Sequence, residues 1–153
     1  MSVEPNNNLE VDYFEKISDL ATDLGLAALG VTSAEPFVET RTEIERRKEL
    51  GLHGGMQFTF RNPKRSTTPK MIMREANSLI VGALSTPAPR LEKAHTDAVR
   101  IAAYARKDYY SVLRNALSVI AEMLKKDGWK AQVVADENSL VDRAAAIRAG
   151  IGW

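Results

Sequence analysis

Asp136 directly follows Val133-Val134-Ala135, so an acid stands where an apolar run stops. If that run is a buried strand, the carboxyl lies at a strand end, where open α/β sheets bind ligands. Apolar backing would desolvate it, and desolvation raises the pKa of a carboxylic acid enough for it to donate a proton near neutrality. The same residues support a plainer role. Asp-Glu-Asn-Ser (136–139) is turn chemistry, and Asp136 or Ser139 could cap the next helix. A second cluster spans 57–74, where Arg61, Lys64, Arg65, Lys70 and Arg74 follow Phe58 and Phe60 with no acid among them. It reads either as a phosphate-holding patch, whose binding would weaken steeply with salt, or as a solvated basic loop. The glycines of GLHGGM just before it would let backbone approach a ligand, but they match neither the dinucleotide fingerprint nor the P-loop. The third cluster is Tyr104, Tyr109 and Tyr110 around Asp108. Tyrosines at a strand–helix junction can stack on a flat ligand or present hydroxyls to it; otherwise Tyr109 is core and Asp108 a cap. Arg143 and Arg148 either share one anion or face solvent.

The elements that would position these residues follow from periodicity. Val11, Phe14, Ile17, Leu20, Ala21 and Leu24 recur at helical spacing up to Gly25, and residues 1–8 read as a frayed polar tail. LAALGVT (26–32) and SLIVGAL (78–84) read as buried strands, and VRIAAYA (99–105) and WKAQVVA (129–135) as two more. Residues 38–50 form a charged helix stopped at Gly51, and 51–70 read as a long irregular segment with three glycines and two prolines. Asp108 caps an amphipathic helix that ends at Gly128, and 140–150 form a last helix. The order predicts a layered α/β or α+β domain with a mixed central sheet flanked by helices.

Composition narrows the chemistry. The chain has 153 residues, 44% hydrophobic and 27% charged, with a net charge of +1, which suits one globular domain with a core and gives no bulk pull towards nucleic acid. No run approaches the ~18 apolar residues of a membrane span, so no membrane partner is expected and a cytoplasmic location is the default. With no cysteine and only His53 and His95, thiolate and His-based metal sites are not expected.

Taken together, the motifs resemble one family. GLHGGMQFTFR resembles the G-x-H-G-E-M-x-x-M-x-R segment of epoxyqueuosine reductases, the cobalamin-dependent iron–sulfur enzymes of tRNA queuosine maturation. SLIVGAL resembles the strand of that family's P-G-A-R-S-V-I-V stretch, and YARKDYYSVLRNAL resembles R-Y-A-x-G-x-D-Y-H-x-x-L-x-x-x-L. ADENSLVDRAAAIRAGIGW resembles V-D-x-x-x-L-x-D/E-R-x-x-A-x-x-A-G-I/L-G-F/W, with its Asp, Asp-Arg and Ala-Gly-Ile-Gly-Trp in register. The segments keep the family's order across about residues 20 to 153. The chain departs from the pattern in four places. Gly55 replaces the Glu of H-G-E-M, Tyr110 the His of D-Y-H, and Arg74-Glu75-Ala76-Asn77 the P-G-A-R turn; the Gly of Y-A-x-G is missing.

The resemblance implies a nitroreductase-like or cobalamin-processing arrangement in which residues 9–153 form an N-terminal cobalamin-binding domain. It implies that Asp136 is the proton donor when the epoxide opens. Asp136, Arg61 and Tyr104 would contact cobalamin, and Tyr109 and Tyr110 would meet the substrate, an anticodon of tRNA. The family's 4Fe–4S clusters would be held by cysteines beyond Trp153, so the chain reads as truncated ahead of a ferredoxin-like part and as a monomer inactive by itself. The alternatives are a cobalamin-binding or carrier domain, an inactive fragment, or a paralogue with another substrate.

Overall fold

The computed structural model describes residues 7–86, 101–135, 137 and 139–152. Two strands, β1 (Ala28–Ser33) and β2 (Ser78–Ala83), pair antiparallel, with Leu29 opposite Gly82 and Gly30 opposite Val81. Side chains alternate across a strand, so this register sorts the two apolar runs into two faces. Leu29 and Ile80 pack on a cluster formed by helices α1 (Asn7–Asp23) and α4 (Tyr109–Lys126), with Ile17, Ala21, Ala116 and Ile120 at its centre. Leu79 and Val81 pack on the other side, against Phe37, Ile44, Val141 and Ala145 of α2 (Val38–Glu49), α5 (Asp142–Arg148) and their lead-in residues. Burial on both faces is why both strands read as continuous apolar runs.

Two glycines let these layers close. A Cβ on Gly30 would lie 2.4 Å from the carbonyl oxygen of Ala149, so α5 can reach β1 only because residue 30 has no side chain. Gly128 ends α4 at φ +90, and the turn is closed by the Trp129 N–H donating to the Leu124 carbonyl at 2.9 Å. Tyr13 of α1 donates to the Asp127 carboxylate at the end of α4 at 2.9 Å, tying the two helices together. That bond holds the Asp127 carboxyl below its usual range; burial, and then the same bond, raise the Tyr13 hydroxyl above its own.

The helix-and-sheet class agrees with the sequence reading, while several segments differ. Asn7 and Asn8, expected in the frayed tail, lie inside α1. The segment expected to be irregular, 51–70, contains short helical turns: Phe58–Phe60, α3 (Pro63–Ser66) and the start of Pro69–Met71. Local chemistry makes them, because the Asn62 side chain accepts from the Arg65 N–H at 3.1 Å and Pro63 presets the first turn. The strand expected at 99–105 is absent where described: Ala103–Ala105 form a 3₁₀ turn, and Arg106 donates two hydrogen bonds to the Ile101 carbonyl, closing the segment on itself. The strand expected at 129–135 is also absent. Ala131, Val133 and Val134 are partly covered and Ala135 is buried, while Trp129, Lys130 and Gln132 are exposed, and the described backbone pairs with neither β1 nor β2. An apolar run predicts burial; a strand also needs a partner in register. Residues 87–100, with His95, lie outside the described residues, and among those described no helix is long and apolar enough to cross a membrane.

Candidate active site

The site is best built outward from the turn at 135–141. Its first residue, Ala135, is buried, and its carbonyl accepts from Arg114 Nη2 at 2.7 Å. Arg114 Nη1 reaches the Glu137 carboxylate at 3.4 Å. One guanidinium on α4 therefore contacts the residue before position 136 and the residue after it. At the far end, the Val141 N–H donates to the Ser66 carbonyl at 3.1 Å, which joins the turn to the basic segment. Ser66 and Thr67 are buried there. The Ser66 hydroxyl lies 3.2 Å from the carbonyls of Thr59, Asn62 and Pro63, and Thr67 donates to Pro63 at 2.7 Å. The Phe37 N–H donates to the Thr67 carbonyl at 2.8 Å, fixing the same segment to the start of α2. Buried polar groups satisfied in this way hold one geometry.

The structure thus ties the basic segment to the turn through Ser66, and α4, which carries Tyr109 and Tyr110, reaches the turn through Arg114. Asp136 itself lies outside the described residues. Tyr110 is 45% exposed on α4, four residues before Arg114, and so on the face that meets the turn. Tyr109 is half-buried, with the Lys107 ammonium 5.9 Å from its ring centre. Tyr104 is exposed in the 3₁₀ turn ahead of α4. Asp108 caps α4 as expected: its carboxylate accepts from the Ser111 N–H at 2.9 Å, and the Ser111 hydroxyl and N–H hold it below the usual range. Arg61 is exposed after Phe58–Phe60, and no described residue forms a hydrogen bond or ion pair with its guanidinium.

Two expectations need correction. Ser139 does not cap α5: the cap position is Val141 with no side-chain bond, and the Ser139 hydroxyl is buried without a partner among the described residues. Arg148 does not share an anion with Arg143, because its guanidinium donates to the carbonyls of Glu35 (2.7 Å) and Pro36 (3.2 Å) and stacks on Phe37. Sequence reasoning missed Arg114 and Ser66. The spacing of Arg114 four residues past Tyr110 was the available signal for the first; nothing local marks the second. A groove of about 340 Å³ runs along the second half of α4, lined by Val119 and Met123, and another of about 500 Å³ lies between Arg74, Lys125 and Trp129. Among the described residues no cluster of three His, Cys, Asp or Glu could hold a metal ion.

Fold and site define an α+β unit in which a helix-borne arginine grips a turn that runs onto one face of a small sheet. No family model matches the chain. It is 31% identical over 145 residues to the epoxyqueuosine reductase of Lactococcus garvieae, covering 91% of this chain and 41% of that protein. To the epoxyqueuosine reductase of Bacillus subtilis it is 30% identical over 146 residues, covering 91% and 37%. Solved structures agree. An epoxyqueuosine reductase with an epoxyqueuosine-modified tRNA-Tyr stem loop superposes with a TM-score of 0.76 at 27% identity, over 94% of this chain and 39% of that one. A Bacillus subtilis epoxyqueuosine reductase with an aspartate-bearing catalytic loop swung out of the active site gives 0.72 at 27% identity, again over 94% and 39%. The chain is similar to epoxyqueuosine reductases over 91% of its own length, and it spans about 40% of the length of the curated relatives it matches.

Proposed function

We propose that this chain is the N-terminal, cobalamin-binding part of an enzyme that reduces epoxyqueuosine to queuosine in tRNA, with Asp136 as proton donor. The observation that carries the reading is the turn at 135–141. It is gripped on both sides of position 136 in a chain whose structural relative from Bacillus subtilis has an aspartate on its catalytic loop. The relative with a bound tRNA stem loop supports tRNA as the partner.

Removing an epoxide oxygen to leave an alkene takes two electrons and two protons and releases water. Cobalamin, when bound, would supply the electrons. Leu52, Met56 and Phe58 are open apolar side chains on the glycine-rich segment, and Phe58 is held outward at the strained φ of +27. With Arg61 directly after Phe58–Phe60 in the same segment, they suit a flat macrocycle that has an apolar face and a polar rim. Tyr104 lines the cofactor or substrate side, and Tyr109 and Tyr110 meet the substrate. Asp136 delivers a proton to the departing oxygen, so that oxygen never leaves as a bare anion. The chain has no cysteine, so the 4Fe–4S clusters implied by the family find no thiolate here, and no step is assigned to them.

The test is a chimera in which this chain replaces the matching N-terminal part of the Bacillus subtilis relative. Asp136→Asn should lower epoxide reduction by about 100-fold or more while the stem loop still binds. Undiminished turnover in that variant overturns the donor role.

A further inference from the structure

We infer that the groove at the end of α4 is a second binding site, fitted to a nucleotide, in which Trp129 takes the flat base and Arg74 the phosphate. The site goes beyond the proposed reaction and does not depend on it. The groove holds about 500 Å³, a volume usual for small-ligand sites, which run from about 300 to about 1,000 Å³. One wall is formed by the residues that follow α4, from Trp129 to Gln132, and the other by residues 72–75 ahead of β2. The Lys130 ammonium reaches the Glu75 carboxylate at 2.8 Å and so joins walls that lie 55 positions apart in sequence.

Trp129 is held while most of it stays open. Its backbone N–H closes the turn at Gly128, and its side chain is 63% exposed. The indole also interacts with the Tyr13 hydroxyl: burial raises that hydroxyl, the Asp127 bond adds to the rise, and the indole works against both. A ring already ordered loses little freedom when a base stacks on it, and every base has a face to stack. Half-buried Ile72 and Met73 on the facing wall extend the apolar surface. Charge completes the fit. Arg74, Lys125 and Lys130 line the groove with Glu75 as its acid. Lys130 is engaged by Glu75, and Lys125 by Glu122 at 2.8 Å. Arg74 is exposed, and no described residue forms a hydrogen bond or ion pair with it. Its planar fork can therefore take two phosphate oxygens. A neutral ring would leave Arg74 unused and a bare phosphate would leave Trp129 unused, whereas a nucleotide engages both. That chemistry belongs equally to a free nucleotide and to an unpaired nucleotide of an RNA strand.

Tryptophan fluorescence of this chain reads the groove directly, because Trp129 is one of only two tryptophans. Adenosine monophosphate should quench it, and inorganic phosphate should not. Trp129→Phe should abolish the quench and leave the Trp153 signal flat. Arg74→Gln, a change at an exposed position, should weaken binding by about fivefold or more. Glu75→Gln should strengthen it by about twofold or more, because it removes a like charge and frees Lys130 for the phosphate. Single-stranded oligoadenylate separates the two sources. Binding about tenfold tighter than the mononucleotide, and weakening as salt rises, assigns the site to an RNA strand; equal affinities assign it to the free nucleotide. No quench by either probe up to about 10 mM overturns the site. So does a quench that survives Trp129→Phe, or one that Arg74→Gln leaves undiminished. Failure of Asp136→Asn to lower turnover in the chimera would remove the donor assignment and leave the groove standing.

Discussion

The Arg148 guanidinium lies 3.6 Å from the centre of the Phe37 ring and donates to two backbone carbonyls just before it, those of Glu35 and Pro36. In sequence it is one more cation on a short helix. In the fold it fastens the end of α5 to the connection between β1 and α2. Arg148→Ala removes a stacked cation and two charge-assisted hydrogen bonds, and should lower unfolding free energy by about 1–2 kcal/mol in urea titrations. Arg148→Lys should recover less than half of that, because an ammonium cannot stack and fork together. A variant as stable as the wild type would show the contact to be incidental. Arg114 makes the same kind of long reach, and neither arginine carries a local mark of its target.

Elements are where the sequence speaks most clearly, because helix ends are local events. The stop of α4 at Gly128 and its start at Asp108 were both legible, since each depends on residues within one turn. The apolar runs of β1 and β2 were legible for the same reason. Their neighbours at 99–105 and 129–135 have similar composition, yet they do not join the sheet among the described residues. The layers on either side of the sheet are set by contacts as close as that of Gly30 with the end of α5. Gly30→Ala puts a Cβ against the Ala149 carbonyl oxygen, a backbone atom that cannot step aside without moving the helix. It should cost about 1–3 kcal/mol in chemical denaturation. Gly82→Ala meets only the side-chain tips of Leu26 and Leu117, at 3.0 and 3.1 Å, and should cost less. Equal costs at the two positions would refute the difference drawn between them.

At the scale of the whole molecule, several surface carboxylates are held below their ordinary range. Glu43 is brought to about 2 by hydrogen bonds from Arg46 and Arg47, and Asp127 is lowered first by the Tyr13 hydroxyl. A depressed carboxylate stabilises the fold fully above its unfolded pKa, ~4, and loses that contribution as pH falls from there through its folded value. The Glu43 pairs lie within α2, whereas Asp127 links two helices, so the melting temperature should drop below pH ~4 and Asp127 should account for a visible part of the drop. Asp127→Asn should melt lower than wild type at neutrality and follow a flatter curve in acid; parallel curves would exclude that role. The sequence by itself determined where the helices stop, which runs are apolar, where the cations gather and that no thiolate is available, because each of these is settled by residues next to one another. Only the tertiary structure decided which apolar runs pair as strands and which arginine grips which carbonyl. Arg114 and Ala135 stand 21 positions apart and Arg148 and Glu35 stand 113 apart, and a hydrogen bond depends on nearness in space, which only the closed fold supplies.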